Sequence, residues 1–352
     1  MMSDNLFPPL TRSYILSFQF SSWYPTFSKQ SIKSTVIRPL SSEFREYLDA
    51  DRVFVPEGAE DIPAESTLSD DEGDAGTVNS NDDSDDESTG KTYAFPDLDQ
   101  KIRASIQEYE GVFPKLNFSS PRDAAWLLPP SSPLKCTTPA DVYLLLKSSD
   151  FINHDLNEEN VFEGCGDTQA EGEGQPYELE LILRKWYPVD RSRELRCFVR
   201  DNVLLAISQR DTNHYEFWND PATQNKVVAA VREFWETNIK PKWTGQPDYI
   251  FDFLLTRDLS RGHIIDFNPY APKTDSLLFT YEELRDLHQN SGNDESLPSL
   301  RVIDSPSHPA ASSSAPAHQH NMIPFEAVKM SSGRDIEEFA ELWKKSVEES
   351  SS

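Results

Sequence analysis

The spacing of hydrophobic residues predicts helices and strands that interleave along most of the chain. Apolar residues recur every three or four positions near 124–127, 142–146 and 227–235, which favours helices. Alternating or continuous apolar runs favour strands at 179–186, 195–199, 203–208, 249–255 and 263–267. Because both patterns alternate between residues 91 and 290, we expect an α+β or α/β domain there.

The ends of the chain and one internal segment depart from this pattern. Residues 1–55 are rich in aromatic side chains and should be folded. Residues 56–90 hold almost no bulky apolar residue, so burial cannot offset the entropy lost on ordering, and we expect a disordered acidic insert. Residues 291–330 are rich in Ser, Pro and His, which predicts an irregular linker. Apolar positions in 331–352 fall on one face of a helix that would pack on its own domain or on a partner.

The net charge of the 352-residue chain is −27, from 33 Lys and Arg against 60 Asp and Glu. About half of it lies between Arg52 and Lys91, where there are 13 acids and no base. Such a charge disfavours nucleic acid and anionic membranes as partners. Three cysteines at unrelated spacings form neither a disulfide framework nor a paired metal site, and no apolar run approaches the ~20 residues of a membrane span. We therefore expect an intracellular protein.

A first candidate site lies in the segment HIIDFNP, which begins at His263. Residues two apart on a strand face the same side, so Asp266 and Asn268 would project together. Two oxygen ligands on one rigid strand suit Mg²⁺, which accepts carboxylate and amide oxygens and is often shared with phosphates. Alternatively, the two residues only mark a strand that ends in an Asn-Pro turn, where both residue types are common.

A single carboxylate, Asp252, interrupts the apolar run 249–255. An unpartnered buried charge costs on the order of several kcal/mol, so Asp252 requires a cation. If this strand pairs antiparallel with the next one through the turn at 257–262, then Asp252, Asp266 and Asn268 can converge on one ion. The alternative is that Asp252 forms an ion pair with an arginine.

Basic residues embedded in three strand patterns form a complementary set. Lys185, Arg196 and Arg210 each lie among apolar neighbours, and Arg196 shares a face with Glu194. Any one of these cations could form an internal salt bridge. Three strands that repeat the pattern are more typical of a polyphosphate cleft, where Lys and Arg bind oxygens and a metal ion bridges them.

A fourth feature is Lys115, which precedes a small polar loop and a predicted helix start at Pro121. Amides at a helix N-terminus, with hydroxyls and an ammonium nearby, attract phosphate, although Ser-Ser-Pro more often only caps a helix. The chain contains neither a GxxxxGK[ST] loop nor a GxGxxG motif. A protein kinase is poorly supported, because Asp252-Phe253 is followed by Leu254 rather than Gly and there is no HRD motif.

Eight longer segments carry a resemblance to a known family. In chain order they read FSSWYPTF, STVIRPL, PKLNFSSPRDAAWL, LKCTTPADVYLLLKSSDF, ELILRKW, ELRCFVR, ISQRD and IDFNPYAPKTDSLLFTYEEL. Together they resemble the cell division cycle protein 123 family, from about residue 15 to residue 290 and with only the acidic insert left out. Their order and compatible spacing make chance agreement implausible.

That resemblance implies an ATP-grasp fold of the α+β class, in which two subdomains enclose an ATP–Mg²⁺ cleft. Residues 91–180 would form the N-terminal subdomain, and residues 1–55 would belong to the same ATP-grasp domain. Residues 181–290 would form the C-terminal subdomain, with the hinge and the metal-binding strands.

The resemblance also implies the residues of an ATP site. Lys185, Trp186 and Tyr187 would form a hinge beside adenine, with backbone groups as its contacts. Asp252, Asp266 and Asn268 would hold Mg²⁺. The other implied positions are Glu194 for a ribose hydroxyl, Arg196 and Arg210 for phosphates, Lys115 with Phe118 and Ser120 in the following loop, and Lys135 in the LKC segment.

The family, by this resemblance, assembles eukaryotic translation initiation factor 2 in the cytoplasm. It binds the gamma subunit, promotes joining to the alpha subunit, and so supports translation initiation and cell-cycle progression. We expect an ATP-binding chaperone, monomeric and without catalytic residues. The aromatic residues Phe20, Trp23, Tyr24 and Phe27 would be interface anchors or ordinary core. The alternative function is an ATP-grasp ligase that activates a carboxylate as an acyl-phosphate, but the sequence offers no recognisable acceptor site.

Overall fold

The computed structural model describes residues 5–60, 91–166, 177–291 and 298–312. Within these ranges the helices are α1 Arg12–Leu16, α2 Phe20–Phe27, α3 Ser42–Asp49, α4 Pro96–Tyr109, α5 Pro139–Lys147, α6 Asn153–Leu156, α7 Glu158–Val161, α8 Pro221–Phe234, α9 Tyr281–Asn290 and α10 Pro309–Ser312. The strands are β1 Ser34–Ile37, β2 Val112–Lys115, β3 Leu181–Lys185, β4 Glu194–Arg200, β5 Val203–Gln209, β6 Tyr249–Leu255, β7 Gly262–Asn268 and β8 Ser299–Arg301. Most of the predicted acidic insert and the helix predicted at 331–352 lie outside the described residues.

Short polar signals set several helix starts. Thr138 accepts the N–H of Asp141 and forms a reciprocal capping box at α5, and Thr280 forms the same box with Glu283 at α9. These side chains satisfy backbone donors that have no partner within the helix. The caps thus fix where α5 and α9 begin.

The strands form two sheets. The smaller sheet has the order β1-β3-β2, with antiparallel pairs. The larger sheet has the order β7-β6-β4-β5-β8, and it is antiparallel except for the parallel pair β5–β8. The α+β fold class is therefore confirmed, with one sheet in each half of the molecule.

Each sheet has its own hydrophobic core. The helices α1, α2 and α8 pack on the larger sheet, and α3, α4 and α5 pack on the smaller one. Phe20, Trp23 and Phe27 are at most 2% exposed in the first core, and Tyr24 is half-buried against it. Three of the four aromatic candidates are therefore core residues rather than free interface anchors.

The structure corrects three of the predicted boundaries. β3 pairs with β1 and β2, so residues 181–185 belong to the N-terminal half and not to the half predicted to begin at 181. β8 lies inside the predicted linker 291–330, because parallel pairing with β5 orders it. The predicted start of the insert at residue 56 is too early, since Ala59 is fully buried and Glu57 forms a bridge with Ala94.

The two sheets meet along β7. Ser31, just before β1, bridges Ile264 and donates its hydroxyl to the Ile264 carbonyl at 2.8 Å. Arg184 of β3 donates to the carbonyl of Ile265 at 2.8 Å. These contacts bring the polar residues of both sheets to one place.

Candidate functional site

The predicted pairing of the two carboxylate-bearing strands is confirmed. β6 and β7 are antiparallel neighbours, with Asp252 directly opposite Asp266 and Ile250 opposite Asn268. A shift in register after Asp252 places Phe253 opposite Ile264 and leaves Ile265 as the extra residue. Asp252, Asp266 and Asn268 therefore share one face of the larger sheet.

Asp252 is held by arginines. It is 2% exposed, and Arg196 donates to both of its oxygens, from Nε at 2.8 Å and from Nη2 at 2.9 Å. The Nε of Arg210 lies 3.3 Å from Asp252 Oδ2. Burial alone would raise the pKa of Asp252, but the two guanidinium groups outweigh it and hold the pKa well below its usual range. The arginine alternative is what the structure shows for this carboxylate.

Glu194 joins this arrangement to the N-terminal half. It accepts from Arg210 at 2.8 Å and from Arg122 at 3.2 Å. Burial raises the pKa of Glu194, but the charges of Arg210 and Arg122 lower it to a net value below the ordinary one. We call Arg122, Glu194, Arg196, Arg210 and Asp252 the inner network.

Lys115 reaches the same place from the end of β2. Its side chain is fully buried, and its Nζ donates to Asp266 Oδ2 at 2.7 Å. The ammonium also lies 5.2 Å from the ring centre of Phe20. Lys115 and Asp266 thus form an ion pair across the two sheets.

The loop after Lys115 is organised by a residue that the sequence did not reveal as functional. Asp155 is fully buried and accepts the N–H groups of Phe118 and Ser119 at 2.8 and 2.9 Å, together with the Ser119 hydroxyl. Those amides are therefore occupied. The helix expected at Pro121 is a 3₁₀ helix, Arg122–Leu127, without a side-chain cap, and Ser120 accepts the N–H of Arg122 through its carbonyl.

The hinge residues lie at the outer end of the site. Trp186 donates its indole N–H to the Pro133 carbonyl at 3.0 Å, and Tyr187 is 55% exposed. Lys185 is exposed, and Lys135 lies with its ammonium 5.4 Å from the Trp186 ring centre. We call Lys135 and Lys185 the outer cations.

The sequence pattern selected the wrong one of two adjacent cations on β3 as the embedded one. Arg184 is 4% exposed and points to β7, whereas Lys185 faces solvent. Neighbouring residues on a strand face opposite sides, and the sequence does not say which side meets the other sheet. Arg122 was missed for a different reason: its position directly after a proline resembles an ordinary helix start.

The centre of the site carries more positive than negative charge. Five cations (Lys115, Arg122, Arg184, Arg196 and Arg210) face three carboxylates (Glu194, Asp252 and Asp266), and the exposed carboxylate of Asp275 also acts on Arg196, so at least one positive charge is in excess. Burial lowers the pKa of Arg184 and of Arg210, since the charged form is poorly solvated there. A bound anion would supply the missing negative charge.

The residues fit a magnesium ion that is shared with such an anion. Within the described ranges, no group of three or more His, Cys, Asp or Glu side chains could hold a metal by itself. The buried Nδ2 of Asn268 has no hydrogen-bond partner among those residues. A flip of the amide would turn its oxygen to the same side without loss of a hydrogen bond. Asp266 and Asn268 could thus supply oxygen ligands, with the remaining ones coming from the anion and water, whereas both oxygens of the third predicted ligand, Asp252, already accept hydrogen bonds from Arg196.

Comparison with known proteins gives the same family over most of the chain. The D123 family matches residues 23–331. The translation initiation factor eIF2 assembly protein of Schizosaccharomyces pombe is 36% identical over 340 residues, which cover 95% of this chain and 96% of the relative. The eIF2 assembly protein of Xenopus laevis is 40% identical over 283 residues, which cover 78% of this chain and 79% of the relative.

A solved structure agrees with these matches. The structure of Cdc123 from Schizosaccharomyces pombe superposes with a TM-score of 0.65 at 33% identity, and it covers 85% of this chain and 100% of that chain. None of the helices in the described ranges is long and apolar enough to cross a membrane. The chain belongs to the D123 family, the family of cell division cycle protein 123.

Proposed function

We propose that this chain is an ATP-binding assembly chaperone for translation initiation factor eIF2. The observation that carries the proposal is the alignment, over 95% of this chain and 96% of the relative, with a protein named for eIF2 assembly. An alignment over nearly the full length of both chains includes the surfaces and the site, and not only a common core. We further propose the gamma subunit as the direct partner, its joining to the alpha subunit as the assisted step, and the cytoplasm as its location.

We propose ATP as the ligand of the charged centre. The excess of positive charge around Asp252 and Asp266 suits a polyphosphate, and the outer cations beside Trp186 extend the basic surface to the hinge. Mg²⁺, when bound, would neutralise phosphate charge at Asp266 and Asn268. Asp252 holds Arg196 in a bidentate geometry and Arg210 beside it, so both guanidinium groups are oriented before a ligand arrives.

The proposed role of ATP is to fix the relative position of the two sheets. Lys115 and Asp266 come from different sheets, and Arg122, in the 3₁₀ helix that follows β2, pairs with Glu194 of the larger sheet. A nucleotide that contacts both sheets would stabilise one arrangement and with it the surface offered to the gamma subunit. In this proposal the chain needs no catalytic residue, and ATP acts as an ordering ligand.

Binding of ATP is tested by thermal unfolding with and without Mg·ATP. A ligand that binds only the folded state raises the melting temperature as its concentration rises. The wild type and the exposed-pair control Glu163→Gln should show the same shift, because Glu163 only pairs with Lys273 on the surface. Asp266→Ala should lose most of the shift. No shift in the wild type would refute ATP binding, and a full shift in Asp266→Ala would refute the metal site.

The assembly role is tested with purified subunits. The gamma subunit should be retained on the immobilised chain, and adding Mg·ATP should increase the yield of gamma–alpha complex. Failure to retain the gamma subunit would contradict the partner assignment. Reproducible ATP-dependent ligation or phosphorylation of a component of cell extract, lost in Asp252→Ala, would favour an enzyme instead.

A further inference from the structure

A close contact outside the inner network involves a glycine, Gly111. A Cβ atom added to Gly111 would lie 2.4 Å from Lys135 Cε, 3.1 Å from Cγ and 3.3 Å from Cδ. Its φ of +144° is also a backbone conformation that residues with a side chain rarely adopt. The Lys135 stem therefore lies directly across the backbone of Gly111, in space that any other residue would fill.

Backbone hydrogen bonds hold the segments of this contact together. Val112 and Cys136 exchange N–H···O bonds of 2.9 and 2.8 Å, which fixes the chain next to both Gly111 and Lys135. Trp186 donates its backbone N–H to the Gly111 carbonyl at 2.9 Å. Because these bonds fix the backbone, the segments cannot move apart to make room for both the Lys135 stem and a Cβ atom at Gly111.

The contact directs the Lys135 ammonium to the hinge. The ammonium lies over the Trp186 ring, and the Trp186 indole is tied to Pro133, two residues before Lys135. No carboxylate among the described residues forms an ion pair with Lys135. Among the described residues the ammonium thus has an aromatic ring and no carboxylate as its partner, and it can donate to an incoming phosphate oxygen without breaking a salt bridge there.

We propose that Gly111 is a positioning residue of the nucleotide site. Its missing side chain lets the Lys135 stem cross the backbone, and its carbonyl holds the amide of Trp186, so one residue sets both a phosphate-binding ammonium and the hinge. This inference rests on the proposed ATP binding and adds to it the determinant of where the Lys135 charge lies.

A substitution at this position should cost some stability, because of the positive φ, and should in addition weaken nucleotide binding through Lys135. The atoms that a methyl group displaces belong to the far end of a flexible lysine, so the core can remain in place while the ammonium moves. Since a hydrogen bond to a charged group contributes about 1.5–3 kcal/mol, loss of this contact should weaken ATP binding roughly tenfold or more. Adenosine, which has no phosphate, should bind Gly111→Ala about as well as it binds the wild type.

The experiment measures Mg·ATP and adenosine binding by calorimetry for wild type, Gly111→Ala, Lys135→Ala and the double variant. Gly58→Ala is the matched control, since Gly58 has a φ of +83° but nothing within 4 Å of an added Cβ. We expect Gly111→Ala to weaken ATP binding in the wild-type background and to change it little in the Lys135→Ala background. Such coupling would not arise from a purely structural role.

Each outcome decides a different point. If the wild type does not bind ATP, the proposed function and this inference both fail. If the wild type binds ATP and Gly111→Ala binds it equally well, or loses the same factor with and without Lys135, only this inference fails. If Gly111→Ala does not fold, folding restored by adding Lys135→Ala supports the steric contact; a double variant that stays unfolded assigns the defect to the positive φ rather than to Lys135 and contradicts the positioning role.

Discussion

The inner network and the outer cations use the same residue types in opposite ways. In the inner network, Asp252 and Glu194 are buried, and each is ion-paired with two guanidinium groups. The outer cations have no ion-pair partner among the residues that the structure describes, and Lys185 is exposed. The cations of the inner network form ion pairs with buried carboxylates, whereas the outer cations form no ion pair with the described residues.

The difference indicates a division of labour. A network whose cations are held by buried carboxylates keeps its groups in place, and the loss of one partner leaves a buried charge exposed to the full cost of burial. A cation that lacks an acid has no internal contact to give up when an anion binds. We therefore expect substitutions in the inner network to act mainly on stability, and substitutions among the outer cations to act mainly on nucleotide affinity.

The largest effect is expected for Asp252→Asn. It leaves Arg196 buried without its carboxylate and Arg210 with Glu194 alone, and the loss of one partner of a buried pair costs about 3–5 kcal/mol of unfolding free energy. Urea denaturation measures the loss. The control is Glu163→Gln, which removes an exposed pair and should leave the unfolding free energy nearly unchanged. Equal losses in the two variants would mean that the inner network does not stabilise the fold.

The second-largest effect is expected from acid, which should weaken the inner network. The folded-state pKa values of Asp252 and Glu194 lie below the ordinary ones, so the native state binds fewer protons than the unfolded chain. Their stabilisation is complete above the unfolded values of about 3.9 and 4.3, and it is lost as the pH falls through that range towards the folded values.

Unfolding free energies between pH 7 and pH 3 provide the measurement. Asp252→Asn should lose less stability over this range than the wild type, because one of the two titrating carboxyls is gone. Parallel curves for the two proteins would contradict the assignment of the low pKa to Asp252.

Much of the fold and some of the site could be predicted from the sequence. Alternating and apolar runs located β4, β5, β6 and β7, and the short turn between β6 and β7 correctly predicted that Asp252 would lie beside Asp266. Both inferences depend on local pattern, where side-chain periodicity and loop length decide the result.

The rest depends on contacts between distant segments. Asp155 is in a short polar stretch that reads like any helix start, yet it organises a loop more than 30 residues earlier in the chain. The contact of Gly111 with Lys135 requires knowing that Val112 bridges Cys136. β8 is only three residues long, and its pairing with β5 rather than its own sequence makes it a strand.

An intermediate effect is expected for Asn268→Ala. The amide nitrogen has no partner among the described residues, so its removal should change the unfolding free energy by no more than about 1 kcal/mol. The Mg²⁺-dependent component of ATP affinity should fall roughly tenfold, the scale observed when groups around a metal are changed. Titrations of ATP with and without Mg²⁺ separate the two. An unchanged Mg²⁺ dependence would remove Asn268 from the metal site.

The smallest effect is expected for Lys185→Gln among the outer cations. An exposed charge contributes about 0.2–1 kcal/mol, so ATP affinity should fall only a few-fold, and less at high salt. Stability should stay unchanged, because the side chain faces solvent. A loss of stability like that of Asp252→Asn would erase the distinction between the two regions.

The parallel strand β8 has a consequence for the handling of shortened forms of this protein. It covers the outer side of β5, where Ala206, Ile207 and Ser208 pair with it, and Arg301 fastens it to Glu283 through two bonds of 2.7 Å. A chain cut before residue 299 would leave the backbone donors and acceptors of β5 open along one side. Such an edge is a template for strands of other molecules. By covering this edge, the short strand β8 should limit self-association. Its removal should cause aggregation under conditions in which nucleotide binding is still retained.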